Sequence, residues 1–225
     1  MPGDTWLAPW GWPINENIVI IGEPALEGGG LCFTDLQTGR LLDLQLPQDD
    51  ENAYYYPDLR RFNQGLAPVC VVRTDTQTWE TTRRWGFADK NGSFVIDPAY
   101  TDFRVSDIYG NYEVFGVTGL AMVDNPAGQW GAINKTGATV IPFQYDHLYA
   151  YSFGLAAFAQ DGLWGFLDED TNVVIPARYQ QTPGFSDNGY AVVYDGTTAP
   201  LIDSQGNAIP GSDQLDPDTY FIDDG

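Results

Sequence analysis

Short apolar runs alternate with polar turns along most of the chain, and the 3.6-residue spacing typical of amphipathic helices is almost absent. Phe87, Ile133 and Leu167 are apolar positions within such runs, and each run is bounded by Gly, Asn, Asp, Lys or Thr. Runs of this length that end in turn-forming residues are typical of β-strands. The pattern therefore predicts an all-β protein made of short antiparallel strands.

The apolar runs recur as copies of one phrase. A Trp-Gly pair opens each copy, at Trp85, Trp130 and Trp164, and a polar turn, a Val-Ile pair, a Pro and a Tyr follow in that order. A Gly-x-Ala phrase recurs between the copies, at residues 119–121, 154–156 and 189–191. Successive tryptophans are 45 and 34 residues apart. Internal repeats with a period of about 35 residues indicate a stacked repeat architecture.

Each phrase has a physical interpretation. Asp89 can accept a hydrogen bond from the backbone two residues further on, and Gly92 can adopt a positive φ, so residues 89–92 predict a hairpin turn. In the third copy Thr171 replaces that glycine, and we expect Asn172 to take the positive φ instead. The Val-Ile strand should stop at the proline, which cannot donate to a β-ladder. The Gly-x-Ala phrase opens a third strand.

These phrases divide the chain as follows. Residues 31–210 form the repeat domain, with an N-terminal capping segment at 1–30 and an acidic C-terminal tail at 211–225. The predicted copies lie at 31–72, 85–123, 130–159 and 164–194, with a half-copy at 199–210. We expect four to five repeats of roughly three strands each in an elongated or curved array, because a propeller blade needs four strands. A closed barrel-like or propeller-like ring is the alternative.

The ordered phrases resemble those of the WG-repeat family, which is named for its Trp-Gly pair. This resemblance covers about residues 31–210 and is strongest over 85–196. It implies a β-rich repeat module, found in bacteria, that mediates protein interactions and carries no catalytic residues of its own. The chain departs from the pattern at Thr171, at Asp97 before Pro98, and in the end copies, which lack the tryptophan.

The tryptophan and glycine of each pair have a predicted structural role. We expect the aromatic rings to pack between repeats and each glycine to let a neighbouring ring or backbone approach closely. These residues are Trp85, Gly86, Trp130, Gly131, Trp164 and Gly165. A ladder of exposed tryptophans that binds sugar has the same spacing, so the spacing leaves both interpretations open.

The charge of the chain restricts its partners. It has 225 residues with a formal net charge of −21. Residues 1–104 hold 15 acids and eight bases, whereas residues 105–225 hold 16 acids and two bases. Such a field repels phosphate backbones and anionic lipids and attracts cationic surfaces. With no long apolar run for a signal peptide or a membrane span, we expect a cytoplasmic protein that binds neither nucleic acid nor membranes.

Candidate binding residues lie in the segments that exceed the basic period. Those segments are 48–62, 73–84 and 104–118, and they are rich in Tyr, Trp and Arg, which dominate interface hot spots. The predicted apolar anchors are Tyr54, Tyr55, Tyr56, Trp79, Tyr109 and Tyr112. Asp213, Asp216 and Asp218 of the tail are the predicted steering charges. Ordinary loop residues and a solvated acidic surface are the alternatives, and the tyrosine triplet can also form a strand with alternating faces.

No set of residues predicts catalysis or a cofactor. His147 is the only histidine, and its place in a repeat phrase predicts a surface loop residue. Zinc needs several convergent His or Cys ligands, and the turn at residues 168–172 lacks the glycine and the closing glutamate of a calcium loop. Cys32 and Cys70 are interpreted as small buried residues, with a disulfide as the alternative. We therefore expect no enzyme activity, no metal and no cofactor, although a pair of carboxylates could still act in catalysis.

Two functions fit these features. The first is a non-enzymatic module that binds a protein with a basic surface, as an immunity-type inhibitor masking a toxin or as an adaptor in a larger assembly. Association of such a pair should slow with added salt. The alternative is a carbohydrate or cell-surface binding module that uses exposed Trp and Tyr rings. An exposed terminal strand would also allow a dimer.

Overall fold

The structure of this chain is a computed structural model. It describes residues 18–22, 31–35, 40–41, 46, 50–58, 62–108, 111–116, 118–182 and 184–212. In these ranges the regular structure consists of antiparallel strands grouped in small sheets, which confirms the all-β prediction. The chain divides into two compact units. Unit 1 comprises Met1–Asp102 and Lys135–Gly137, and unit 2 comprises Phe103–Asn134 and Ala138–Gly225.

Unit 1 contains a three-stranded and a four-stranded sheet. The three strands of the first sheet are β1 (Ile18–Gly22), β2 (Leu31–Asp35) and β3 (Arg40–Leu41). The second sheet has the order β4-β5-β6-β7, so consecutive strands are neighbours. Its strands are β4 (Ala53–Pro57), β5 (Ala67–Thr74), β6 (Thr81–Ala88) and β7 (Phe94–Tyr100).

The described residues of unit 2 form four sheets, and in each of them consecutive strands are neighbours. A two-stranded sheet pairs β8 (Ser106–Ile108) with β9 (Asn111–Glu113). The next holds β10 (Leu120–Asp124), β11 (Trp130–Asn134) and β12 (Thr139–Tyr145). The third holds β13 (His147–Leu148), β14 (Leu155–Gln160), β15 (Leu163–Asp168) and β16 (Val173–Tyr179). The last pairs β17 (Ala191–Val192) with β18 (Leu201–Ile202).

The sequence phrases map onto these strands in order. The Trp-Gly pair lies on β6, β11 and β15, a Gly-x-Ala phrase opens β10 and β14, and the Val-Ile pair lies on β7, β12 and β16. Two sheets carry a fourth strand, β4 and β13, in addition to the three that the sequence predicted. β13 has only two residues, which is too short for an alternation of apolar and polar positions to reveal.

The prediction that the Val-Ile strand stops at the proline is wrong. β12 continues through Pro142 to Tyr145, with register shifts against β11 between the pairs Trp130–Tyr145 and Ala132–Ile141. The same irregularity occurs between β6 and β7 and between β15 and β16. A bulge leaves backbone groups outside the regular ladder, so it accommodates the missing N–H of proline within a continuing strand.

The bulge also explains the glycine of the Trp-Gly pair. A Cβ at Gly131 would lie 2.7 Å from the carbonyl oxygen of Ile141, and one at Gly86 would lie 2.7 Å from that of Ile96. At Gly165 the corresponding distance to the Ile175 oxygen is 2.5 Å. All three distances are shorter than a van der Waals contact, so the bulged strand can cross here only over a residue without a side chain.

The hairpin turns follow one hydrogen-bonding scheme. Asp89 Oδ1 accepts hydrogen bonds from the amides of Asn91 and Ser93, and Asp168 Oδ1 accepts one from Asn172. The residue three positions after the Asx residue takes the positive φ, which is 83° at Gly92 and 67° at Thr171. The expectation that Asn172 would take it is therefore wrong, because the turn's hydrogen bonds fix the position whatever residue occupies it.

Both faces of the β13–β16 sheet are buried. One apolar cluster joins Phe158 and Leu167 of this sheet to Trp130 and Ile141 of the preceding one. A second cluster joins Phe166 and Ile175 to Ile202 of the end copy. Consecutive repeats of unit 2 therefore share their cores, as stacked repeats do.

Candidate functional site

The tyrosine triplet lies on strand β4, where its side chains alternate between two faces. Tyr54 and Tyr56 are 61% and 56% exposed, whereas Tyr55 points into the unit and packs 6.3 Å from the ring of Phe94. Of the three predicted anchors in this triplet, Tyr54 and Tyr56 are therefore accessible. Tyr55 belongs to the core because side chains alternate along a strand with a period of two.

The ladder places further side chains beside the two exposed tyrosines. Tyr54 pairs with Val72 and Val72 with Arg83, while Tyr56 pairs with Cys70 and Cys70 with Trp85. Residues paired directly across strands lie on the same face of a sheet. Cys70 is a free, buried thiol, and burial raises its pKa. The thiol is therefore a packed part of this face.

Trp79 lies at the tip of the β5–β6 hairpin and is 77% exposed. Its φ is 60°, an unusual value for a bulky residue. Asp75 stabilises the turn. Its Oδ1 accepts hydrogen bonds from the amides of Gln77 and Thr78. Its carbonyl oxygen accepts a hydrogen bond from the amide of Trp79 at 2.7 Å. These hydrogen bonds, first from Thr78 and then from Gln77, lower the pKa of Asp75. The hairpin presents the indole from an ordered turn.

A column of stacked groups crosses unit 2. The guanidinium Cζ of Arg104 lies 4.3 Å from the Trp130 ring and 5.2 Å from the Tyr149 ring. Tyr149 stacks on Trp164 at 5.4 Å, and His147 stacks on Trp164 at 5.8 Å. Trp130 is 5% exposed, Trp164 and Arg104 are half-buried, and His147 is exposed. His147 begins a strand, so the predicted loop position is wrong, although its surface position is right.

Two carboxylates lie near the exposed end of this column. Asp146 precedes His147, and its Oδ2 accepts a hydrogen bond from Gly162 at 3.3 Å, which brings it to the turn that contains Asp161. Residues 138–212 contain eight acids and a single base, Arg178. All eight acids are exposed or half-buried. Arg178 is occupied, because it lies 4.9 Å over the Tyr179 ring and donates to the Gly206 carbonyl oxygen.

Several predicted site residues lie outside what the structure describes. Tyr109 is one of these, and so are Asp213, Asp216 and Asp218 of the tail. Tyr112 is placed on the backbone of β9, but its side chain is outside the described part. Trp85 is half-buried on the face that carries Tyr56. The sequence placed Arg83 and Arg104 in the candidate segments 73–84 and 104–118 but not among the predicted anchors, and it did not single out Tyr149. Their contacts with aromatic residues depend on the tertiary structure.

Among the described residues, no group of three or more His, Cys, Asp or Glu side chains is placed to hold a metal ion. The described segments include no helix that is long and apolar enough to cross a membrane.

Solved structures show partial similarity to this chain. The crystal structure of HIRA(644-1017) is 10% identical with a TM-score of 0.35, covering 75% of this chain and 56% of its own. A eukaryotic initiation factor is 11% identical with a TM-score of 0.42, covering 88% and 52% respectively. BamB from Moraxella catarrhalis is 14% identical with a TM-score of 0.32, covering 86% and 72%. The chain thus spans about half the length of the first two.

No curated protein matches the sequence. A family model described as "WG containing repeat" matches residues 85–112, 130–164 and 164–196. The three matches begin at Trp85, Trp130 and Trp164, where the structure places the central strand of each repeat sheet. Over residues 85–196 this chain therefore carries WG repeats.

Proposed function

We propose that this WG-repeat protein is a non-catalytic module that binds a partner protein with a basic surface. The observation that carries the proposal is the charge of residues 138–212. This range holds eight exposed or half-buried acids and one base, Arg178, which already contacts Tyr179 and Gly206. Clustered charge of one sign attracts an oppositely charged partner and accelerates association.

The exposed end of the Arg104–Trp164 column provides apolar contacts within this acidic surface. Tyr149 is 43% exposed and His147 is exposed, and Asp146 and Asp161 lie next to them. Lysine and arginine side chains of a partner could pair with these carboxylates while their alkyl stems pack on the rings. The inhibitor and the adaptor are two forms of this proposal, and both require the same basic surface.

Carbohydrate binding is less well supported by the column. Sugar rings stack on an open aromatic face, but His147 and Tyr149 both stack on Trp164. The ring of Trp164 is thus already in contact with two other side chains of the chain itself.

The test is affinity purification from host lysate with the purified protein as bait, at low and at high salt, followed by quantitative mass spectrometry. The variants Asp146→Asn and Asp161→Asn, combined, remove two charges but keep an acceptor at each position. We expect a basic protein that is retained at low salt, lost at high salt, and reduced several-fold by the double variant.

Asp97→Asn is the matched control, because Asp97 is an exposed carboxylate of unit 1. It should leave the capture unchanged. Recovery of no basic protein at low salt, or equal recovery with the double variant and with the control, would contradict the proposal.

A further inference from the structure

The three most exposed large hydrophobic residues in the described part of the chain belong to one sheet. They are Trp79, Tyr54 and Tyr56, at 77%, 61% and 56% exposed, and all lie on the β4–β7 sheet of unit 1 or on its β5–β6 turn. Exposed aromatic residues concentrated on one sheet in this way are typical of an interaction site. We call the face formed by Tyr54, Tyr56, Arg83 and the tip residue Trp79 the tyrosine face.

The strand register makes Tyr54, Tyr56 and Arg83 one surface. Tyr54 and Arg83 lie on either side of Val72 in the strand register, and Tyr56 and Trp85 lie on either side of Cys70. The next pair towards the tip is Thr74–Thr81, whose hydroxyl oxygens are 3.3 Å apart. Arg83 is exposed, and within the described part of the chain it makes no ion pair. An aromatic surface with one free arginine has the composition of an interface core.

The strands that build this face carry no acidic residue. β4, β5 and β6 hold three bases, Arg73, Arg83 and Arg84, and no Asp or Glu. Of the three, the strand register places only Arg83 on the face of Tyr54 and Tyr56. Arg73 pairs with Asp50 at 3.1 Å.

A surface whose strands carry no acidic residue has a particular meaning in a protein of net charge −21. Two copies of the chain repel each other wherever their acidic surfaces meet. In a two-fold symmetric contact the same patch faces itself, so only a patch near neutrality brings no such repulsion. The tyrosine face combines near neutrality with the most exposed aromatic side chains, which is what a self-contact requires.

We infer that the tyrosine face is a homodimer interface, with a second copy of this chain as its occupant. Tyr54, Tyr56 and Trp79 are the apolar anchors, and Arg83 is the polar residue within the contact. The inference is independent of the proposed function, since the acidic surface of residues 138–212 takes no part in it.

Sedimentation velocity of the full chain, over a concentration series and at low and high salt, tests the inference. We expect a monomer–dimer equilibrium that strengthens with added salt, because salt screens the repulsion between two chains of charge −21. Binding of a basic partner should weaken with salt, so the two associations respond in opposite directions. A chain that is monomeric throughout would overturn the inference and leave the proposed function standing.

Two variants test the interface residues. Tyr54→Ser combined with Trp79→Ser, and separately Arg83→Glu, should each raise the dimer dissociation constant about tenfold or more. Tyr190→Ser is the matched control, because Tyr190 is an exposed tyrosine of unit 2, at 40%. A dimer that neither variant weakens, or that the control weakens equally, would overturn the inference. Unchanged melting temperatures would show that the variants remain folded.

Discussion

Tyr151 joins the segment before β14 to the end of β15 through a single buried hydroxyl. Its side chain is 4% exposed, and the hydroxyl donates to the Asp168 carbonyl oxygen at 2.7 Å. Burial, and then the negative charges of Asp168, Glu169 and Asp170, raise the pKa of Tyr151 to about 12. The protein therefore holds this phenol in its neutral form.

The variant Tyr151→Phe tests this interaction. At pH 7 we expect a loss of about 1 kcal/mol in the free energy of unfolding, the usual net value of a hydrogen bond. Because the folded pKa is raised, the contribution is complete below the unfolded pKa of 10 and is lost as pH rises towards 12. Urea denaturation of both proteins at pH 7 and pH 11 measures it. A difference that grows between these pH values would contradict the assignment.

The glycine of the Trp-Gly pair is constrained by a close backbone approach. In Gly131→Ala the new Cβ would lie 2.7 Å from the Ile141 oxygen, so we expect a loss of about 3 kcal/mol or more from overpacking. In the control Gly128→Ala the Cβ meets nothing within 4 Å, and only the φ of 77° costs energy, about 1 kcal/mol. Urea denaturation should therefore show the larger loss in the free energy of unfolding for Gly131→Ala. Equal losses in the two variants would contradict the explanation.

At the scale of the element, the hairpin turn is shared by all repeats but is filled differently. Gly137 and Thr171 occupy the same turn position, with φ values of 83° and 67°. Thr171→Gly should raise stability by up to about 1 kcal/mol, since a β-branched residue is strained there, and Gly137→Thr should lower it by more. Melting temperatures of the two variants would show opposite shifts. Shifts of the same sign would contradict this view of the turn.

Trp130 and Trp79 are tryptophans in opposite surroundings. Trp130 is 5% exposed in the cluster shared by two repeats, whereas Trp79 is 77% exposed. We expect Trp130→Ala to cost about 3–5 kcal/mol and Trp79→Ala less than about 0.5 kcal/mol. Chemical denaturation measures both. A melting temperature that does not change in Trp130→Ala would exclude the packing role of the repeat tryptophan.

At the scale of the whole molecule, part of the acidity has a structural use. The pKa of Asp203 is lowered first by its hydrogen bond from the Asn207 side chain, and that of Asp195 first by the Thr198 amide. Each of these turn carboxylates therefore stabilises its loop only while it is ionised. The same charges contribute to the acidic surface of residues 138–212, so one set of residues supports both the fold and the proposed binding.

Acid should remove this stabilisation. A carboxyl whose folded pKa is depressed contributes stability above its unfolded pKa of about 3.9, and this contribution is lost as pH falls through the folded value. Asp203→Ala should therefore destabilise the protein at pH 6 and have a smaller effect at pH 2.5. Urea denaturation at the two pH values measures the difference. Ser204→Ala, at an exposed neighbour in the same turn, should have no pH-dependent effect.

The sequence by itself determined the repeat and its local chemistry. Alternating runs, Asx-Gly turns and the Trp-Gly phrase specify strands and hairpins because these signals depend on neighbours within a few residues. It also indicated the acidic character of the C-terminal half and three of the exposed aromatic residues, Tyr54, Tyr56 and Trp79. It missed the two-residue strand β13, and it placed the strand end wrongly at Pro142.

Only the tertiary structure decided which residues meet. Arg104 and Trp130 are 26 positions apart in the sequence, and no local pattern pairs them, yet they stack at 4.3 Å. The strand register likewise divided the tyrosine triplet between core and surface, and set Arg83 in line with Tyr54. Short-range propensity fixes the conformation of each element, whereas pairing between distant strands fixes its faces, because the register decides which alternate side chains are buried.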